Sequence, residues 1–570
     1  MWTRPSRERL PGSKTPIRFT EHTLTCDSRR IEAMSREIQE LRSQREGENA
    51  TLSPETGGST SLASEPSSGL STEDNFELDE TTVVLNGLLV ESHLAIDALK
   101  VFAELFRPQL PLLEPISLRH MYHSQPFLFW TIVVIVSSHL PDSSHQELFS
   151  RLHQPYLKLL REGALGAPLP LHKIQALLFL CAWPLPIRHQ VADPSWLYCG
   201  IAIQAARYMG LDREQPLPTP RSVGVLPGSS RARINTWLGC FYVGTSLSLH
   251  LGLQPPIDSD IDFTAIHNFL TQKTLPFEIT TQVRIHLVVA KFIGLLLQNN
   301  ETVGSSLIRL INSELDVLKS GFPENEPGIL KIEFSILVTK LHFYALLIIK
   351  SPPNSPSREI MLQTGLAAAL RIIRISTIPP SSTRFGDRSL PKIQRERSLP
   401  KTYYRGLAFA TIFLITFFHL DVNASREEQE SAASHISLAQ GVFKLCSIDP
   451  MDEYARTSRM FEILARLPPG SSDPTKLRFT HRMGVSLLLH ATRMADEARG
   501  RSTQIPELPE NRTPEEPIVT YQSQLQEQQL QSDLIYPMDQ ANSDAEFLRE
   551  FWDDPIMNIL NLDAMYPPQE

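Results

Sequence analysis

The sequence is poor in cysteine, with only five in 570 residues: Cys26, Cys181, Cys199, Cys240 and Cys446. They are far apart and odd in number, so their spacing does not indicate a disulfide framework. Three of them lie in strongly apolar segments. We therefore interpret them as buried free thiols in a reducing compartment. The histidines have no partners at metal-ligand spacing, so the sequence predicts no metal site.

Long apolar runs are also missing. The longest, Phe127 to Val136 and Leu407 to Phe418, fall well short of the roughly 20 residues that a bilayer requires. The sequence therefore predicts no membrane span. The first residues, MWTRPSRERLPGSK, have no apolar core, which argues against a secretory signal.

The motifs of common enzyme classes do not occur in the sequence. It contains no GxxxxGK[ST] loop for a triphosphate, no GxGxxG, no HExxH and no GxSxG nucleophile elbow. The nearest approach to that elbow, Gly244 to Leu247, lacks the second glycine and lies in a helical pattern. We therefore predict a protein that is not an enzyme and has no catalytic residues.

Residues 78–500 alternate apolar helical segments with loops that contain proline, which predicts an all-α domain. Residues 351–402 contain the pentapeptide RSLPK twice, at 388–392 and 397–401, and are interpreted as a surface loop basic enough to contact an acidic partner. The predicted helices include Val83–Phe106, Pro126–His139, Leu148–Glu162, Arg231–Leu253, Val283–Gln298, Ile332–Lys350, Tyr403–Leu420, Glu427–Cys446, Ala455–Leu467 and Thr480–Ala498.

The stretch Leu171–Glu214 predicts two buried helices joined by an ordered turn. The first, Leu171–Trp183, is apolar all round after Gln175, and Pro184 and Pro186 end it.

The second helix of the pair has a start signal and a stop signal. Asp193 offers an N-cap oxygen, and Pro194 occupies the first helical position, where its missing N–H costs nothing. The helix runs to Met209, and Gly210 supplies the left-handed residue that ends it.

The N-terminal segment, residues 1–46, combines a basic stretch with a short heptad pattern. Ile31, Met34, Ile38 and Leu41 form an a/d seam with charged flanks, as in a dimeric coiled coil. Because the seam lasts only two heptads, a single amphipathic helix is the alternative.

Two polar linkers, residues 47–77 and 501–545, are predicted to be disordered. The second leads into residues 546–570, where acids alternate with large apolar residues, and Arg501–Glu570 holds 14 acidic residues against three arginines. We interpret this end as an acidic-aromatic activation segment that folds into a partner's groove, the alternative being a terminal helix docked on its own domain. Its apolar residues are Phe547, Leu548, Phe551, Trp552, Ile556, Met557, Ile559, Leu560 and Leu562.

The helix pair follows the sequence pattern LxxIQALLLLCxWP…DPSWxYxGxAxxxAxxMGL. Through this pattern it resembles the regulatory domain of fungal zinc-cluster (Zn2Cys6) transcription factors. Residues 231–262 resemble a second element of that family, but Leu238, Gly244-Thr245 and Gln254 depart from its pattern. The LCAWP…DPSWLY wording is most similar to activators of secreted-protease genes. The residues that carry the resemblance are Trp183, Pro184, Asp193, Pro194, Trp196, Arg233, Trp237, Gly252 and Pro255.

The resemblance implies a zinc cluster near the N-terminus, in which six cysteines hold two zinc ions. Only Cys26 precedes residue 180 here, so the zinc expected for the family has no ligands in this sequence. The segment after Cys26 is similar to the stretch that follows such a cluster, so we infer a lost or truncated cluster and predict no cofactor.

The resemblance implies a nuclear transcriptional regulator, and we expect an activator of RNA polymerase II genes. DNA would be reached through a dimerisation partner or through a zinc cluster encoded upstream, and the acidic tail would recruit the transcription machinery. The alternatives are an all-α ligand-binding or scaffold protein, or an enzyme, without a role on DNA.

Overall fold

The computed structural model describes residues 73–498, except 168, 188–191, 214–228, 299–300, 324–327, 353–354, 379–390, 421–424, 451 and 468–481. The predicted coiled coil, the first linker up to residue 72, the second linker and the activation segment lie outside these ranges. They stay predictions.

The described residues form seventeen α-helices and one small hairpin, which confirms the predicted all-α class. The hairpin consists of β1 (Thr82–Leu85) and β2 (Leu88–Glu91). The helices are α1 (Ser92–Val101), α2 (Leu118–Ser124), α3 (Pro126–His139), α4 (Ser143–Ala164), α5 (Leu171–Ala182), α6 (Ser195–Tyr208), α7 (Ser230–Leu251), α8 (Asp260–Thr271), α9 (Phe277–Gln298), α10 (Glu301–Ser320), α11 (Ile329–Lys350), α12 (Pro356–Thr377), α13 (Lys392–Arg397), α14 (Lys401–Leu420), α15 (Arg426–Cys446), α16 (Glu453–Ala465) and α17 (Ser486–Ala498).

The hairpin corrects the predicted helix Val83–Phe106. Val83 pairs with Val90 across the two strands, and helical structure begins only at Ser92. The turn residues Asn86 and Gly87 both have positive φ, at 47° and 87°. Asparagine followed by glycine is the usual signal for such a hairpin turn, so the sequence contained the information that the helical interpretation overlooked.

The predicted surface loop 351–402 is wrong over much of its length. Residues Pro356–Thr377 form α12, a helix of 22 residues that packs against α11 and α14. Its proline lies at the first helical position, where the ring fits and no hydrogen bond is lost. The prolines of this stretch therefore mark a helix start and the flanks of α13, rather than a continuous loop.

The core consists of two hydrophobic clusters. The first cluster runs from Val83 to Ala290 and the second from Phe334 to Ala495. Helices α7 and α9 of the first cluster pack against α14 and α11 of the second. The two clusters thus meet along four helices.

Three helices are long and apolar enough to cross a membrane, judged by length and composition alone. This corrects the expectation drawn from uninterrupted apolar runs, because isolated polar residues had divided these helices into shorter runs. Of the most apolar window in each helix, 72%, 83% and 50% respectively is buried inside the fold. The three segments are Phe277–Leu297, Ile329–Lys350 and Pro356–Thr377.

The helix pair is present as α5 and α6, with two differences from the prediction. The second helix begins at Ser195 with Pro194 as its cap, one residue later than expected. It is also only partly buried, since the side chains of Trp196 and Tyr208 are 55% and 60% exposed. Gly210 ends the pair as predicted, with a φ of 68°.

Candidate functional site

A cavity of about 320 Å³ lies where the two hydrophobic clusters meet. We call it the junction cavity. The end of α3 and residues 184–187 after α5 line it from the first cluster. Residues 397–408 and 448–457 line it from the second. It therefore combines elements that lie more than 200 residues apart in the sequence.

Arg397 is the most deeply buried charge of this cavity. Its side chain is 5% exposed, and its Nε donates to the carbonyl oxygen of His139 at 2.5 Å. A second N–H of the guanidinium donates to the carbonyl oxygen of Cys446. Its Nη1 also lies 3.8 Å from a carboxylate oxygen of Asp452, and its Cζ lies 5.0 Å from the ring centre of Tyr454. Arg397 thereby joins α3 to the end of α15 and the start of α16.

This position corrects the interpretation of the second RSLPK copy, residues 397–401, as exposed. Arg397 and Ser398 are buried, and Lys401 is 11% exposed. A basic pentapeptide without an apolar pattern is expected to lie in solvent. Here its cations contact carboxylates and carbonyl oxygens from helices that are distant in the sequence.

Asp193 anchors the ion pairs at one side of the cavity. Its carboxylate lies 3.2 Å from Nζ of Lys401 and 2.6 Å from Nη2 of Arg405, and it accepts the backbone N–H of Ser195 at 2.9 Å. Lys401 also pairs with Glu453 at 2.7 Å. The residue predicted as a helix cap thus also joins α6 to α14.

The cations determine the ionisation of these acids. Burial by itself raises the pKa of Asp193, but Lys401, Arg405 and the bonds from Ser195 outweigh it and hold the pKa well below its usual range. Burial likewise raises the pKa of Glu453, and Lys401 and Arg405 outweigh it and lower the pKa. Both carboxylates are therefore ionised at neutral pH.

His139 contributes a neutral ring to the cavity. Its Nδ1 lies 2.9 Å from the carbonyl oxygen of Ile135, one turn back in α3. Burial, assisted by the charge of Arg397, lowers the pKa of His139 to about 3. A neutral ring that donates through Nδ1 presents Nε2 as an acceptor. No pattern in the sequence distinguished this histidine, since only the fold brings it against Arg397.

Trp183 explains how the helix pair is tied to the cavity. The side chain is fully buried, with its ring 5.4 Å from that of Phe106 and 6.1 Å from that of Phe179. Its Nε1 donates to the carbonyl oxygen of Ser398 at 2.9 Å. Pro184, the next residue, lines the cavity. The Trp-Pro step therefore ends α5 and contacts the second RSLPK copy.

Four further residues that carry the resemblance do not line the cavity: Arg233, Trp237, Gly252 and Pro255. Trp237 is fully buried, and the guanidinium of Arg207 lies 5.3 Å from its ring centre. Arg233 is half-buried, with a weak bond of 3.4 Å from Nη2 to the carbonyl oxygen of Gly210. Gly252 ends α7 with a φ of 68°, and Pro255 after it is buried.

At Gly244-Thr245, which depart from the family pattern, one buried hydroxyl lacks a hydrogen bond within the described residues. Gly244 packs against Ile203 and Pro256, and the hydroxyl of Thr245 is buried. That hydroxyl has no hydrogen-bond partner among the residues that the structure describes. Arg207, whose side chain is one-third exposed, forms an ion pair with the buried carboxylate of Asp262 through two bonds of 3.0 and 2.8 Å.

The described residues do not fit the zinc that the family resemblance implies. Cys181, Cys199, Cys240 and Cys446 are free and buried in helices, and within the described ranges no three histidine, cysteine or acidic residues could hold a metal ion. Burial raises the pKa of Cys181 and of Cys240, which disfavours the thiolate that zinc requires. Cys26 lies outside the described residues.

The sequence of part of this domain is similar to that of a known protein family. A family profile described as "Fungal specific transcription factor domain" matches residues 99–286. Residues 99–286 are therefore similar to the fungal specific transcription factor domain. This match covers the first hydrophobic cluster from the end of α1 to the middle of α9, including the helix pair and Trp237.

Several curated transcription factors are also similar to the chain. The putative transcription factor SEF1 of Eremothecium gossypii is 27% identical over 310 residues, which is 51% of this chain and 28% of that protein. The one of Kluyveromyces lactis is 29% identical over 179 residues, 31% and 16% of the two chains. The transcriptional regulatory protein SEF1 of Candida albicans is 24% identical over 378 residues, 63% and 38%.

The matched regions thus span well under half the length of these relatives. No solved structure matches the chain. None of the relatives' names mentions secreted-protease genes, so that part of the resemblance stays a prediction.

Proposed function

We propose that this chain is a transcriptional regulator that acts in the nucleus as an activator of RNA polymerase II genes. The observation that carries the proposal is the fungal specific transcription factor domain at residues 99–286. Relatives named as transcription factors support it, and the same findings favour a regulatory protein over an enzyme.

We also propose that DNA is reached through a partner or through a zinc cluster that this sequence does not contain. The six cysteines of such a cluster are missing, and basic residues that contact only phosphates carry no sequence information. Homo- or heterodimerisation would use the seam of Ile31, Met34, Ile38 and Leu41.

The acidic-aromatic segment 546–570 is the proposed contact to the transcription machinery. Its acids keep the segment soluble, and its aromatic residues supply apolar area when it folds onto a partner. Fusing residues 501–570 to a foreign DNA-binding domain should activate a reporter. Replacing both Phe551 and Trp552 with alanine should abolish that activation, while replacing Gln526 and Gln528 should not.

A silent reporter with the intact tail would refute the activator role. A fluorescent fusion of the full chain tests the location, and exclusion from the nucleus would contradict the proposal. On the LCAWP…DPSWLY wording we propose secreted-protease genes or a metabolic gene cluster as targets, which transcript profiles of a deletion strain would test.

An all-α ligand-binding protein is the second candidate function. The observation that favours it is the junction cavity, which lies between two separate hydrophobic clusters and has charged walls. Ligand binding and transcriptional regulation are compatible, since a regulatory domain that binds a small molecule performs both functions.

A further inference from the structure

The junction cavity is lined by three cations and three acids, which come from different parts of the sequence. Three cations come from α13 and α14, and three acids come from the segment that leads into α16. The cations are Arg397, Lys401 and Arg405, and the acids are Asp449, Asp452 and Glu453.

The pairing within this set limits what charge a ligand can carry. Lys401 is matched by Glu453 and by Asp193 behind it, and Arg397 faces Asp452. Any charged ligand has to separate these pairs. A multiply charged anion would then replace only the partner of each cation and would repel the acids, whereas a ligand with one positive and one negative group replaces the lost partner of both the cation and the acid.

Much of the remaining wall is apolar, although Ser137, Ser138, Gln146 and Thr457 also line it. The apolar side chains come from α4, from the turn after α5 and from the second cluster. They are Phe149, Leu185, Ile187, Leu399, Phe443 and Ile448. A ligand that fills the cavity therefore needs an apolar body as well as its charged groups.

We propose that the junction cavity binds a small zwitterion with an apolar body, of the class of the α-amino acids with an aliphatic or aromatic side chain. The volume of about 320 Å³ is at the lower end of the roughly 300–1,000 Å³ of ligand pockets, which suits a molecule of this size. The inference concerns binding and does not rest on the proposed role in transcription.

The arrangement assigns a place to each part of such a ligand. Its carboxylate faces the cations Arg397 and Lys401, and its ammonium group faces Asp452 and Glu453. Because Leu185 and Ile187 lie two and four residues after Trp183, an occupied cavity would also fix the end of α5.

The test is calorimetry and thermal denaturation of the full chain with L-leucine and L-phenylalanine as probes. Isocaproate lacks the ammonium group, isoamylamine lacks the carboxylate, and inorganic phosphate tests the alternative of a compact anion. We expect an amino acid to bind and to raise the Tm, and each analogue to bind roughly tenfold or more weakly, the loss of one charged hydrogen-bonded contact. Failure of both amino acids to bind, or binding of an analogue or phosphate as tight as theirs, would overturn the proposal.

Two variants that fill the cavity locate the binding. Ala408→Trp places an indole on the wall, and Gln146→Trp places one at the exposed edge, where folding tolerates it. Ala433→Trp, on the exposed face of α15 and away from the cavity, is the matched control. We expect the two cavity variants to lose binding and the control to retain it. Binding that survives Gln146→Trp and any folded Ala408→Trp protein would lie elsewhere, which would refute the assignment.

Discussion

The interior of the first hydrophobic cluster and the junction between the two clusters are stabilised in different ways. Trp183 and Phe179 lie in an interior of close-packed rings. The junction is held by ion pairs and by bonds from Arg397 to main-chain carbonyls. Apolar packing tolerates many substitutions of similar size. In contrast, removing the partner of a buried charge strongly lowers the free energy of unfolding. The junction is therefore the part of the fold that a ligand or a change of charge can alter.

The largest expected effect comes from Trp183, which belongs to both regions. Trp183→Ala removes a fully buried indole and its bond to Ser398, and should lower the free energy of unfolding by about 4 kcal/mol. Chemical denaturation measures the change. Trp196→Ala, thirteen residues along in the same motif but 55% exposed, is the control and should change stability by less than about 0.5 kcal/mol. Equal effects would mean that the described packing of the two tryptophans is wrong.

The junction itself is tested by Arg397→Ala. The carbonyl oxygens of His139 and Cys446 lose their donor while staying buried, so the loss should be about 3 kcal/mol. Arg426→Ala removes an exposed arginine from a surface pair with Glu430 and should have no measurable effect. A stability of Arg397→Ala close to that of the native chain would show that the second RSLPK copy is not buried.

Asp193→Asn gives the junction a pH signature. The substitution should cost about 2 kcal/mol at pH 7, because Lys401 and Arg405 lose a carboxylate. Since the folded pKa of Asp193 lies below its unfolded value, its stabilisation is fully present above about pH 4 and is lost as the pH falls further. Denaturation at a series of pH values should show the native chain and the variant converging only below about pH 4. A gap that already closes between pH 7 and pH 5 would contradict the ion pairs.

The smallest expected effects concern backbone conformation in the first cluster. Gly87→Ala puts a Cβ at a φ of 87° in the hairpin turn, with nothing within 4 Å of it, so the strain alone should destabilise by about 1–2 kcal/mol. Gly200→Ala, in the interior of α6 with nothing within 4 Å of the new Cβ, should stabilise by about 0.5–1 kcal/mol. Thermal denaturation distinguishes the two by the sign of the shift in Tm, and shifts of the same sign would refute the positive φ of the turn.

Local patterns predicted much of the first cluster. Apolar residues on every side of α5, and Gly210 at the end of α6, were sufficient to place those elements. The same reasoning failed at β1 and β2, because a short apolar stretch fits both a helix and a strand and only the Asn-Gly turn distinguishes them. It also failed at α12, because a proline at a helix start looks like a break until the helix is seen.

The sequence by itself determined the all-α class and a helix pair that resembles part of a fungal transcription factor domain, since both depend on the spacing of neighbouring residues. Only the tertiary structure decided that Arg397 and Lys401 are buried and meet acids on α16 and the carboxylate of Asp193. The physical reason is that solvated and buried cations look the same in a sequence. What distinguishes them is the partner, which here lies as far as 258 residues away.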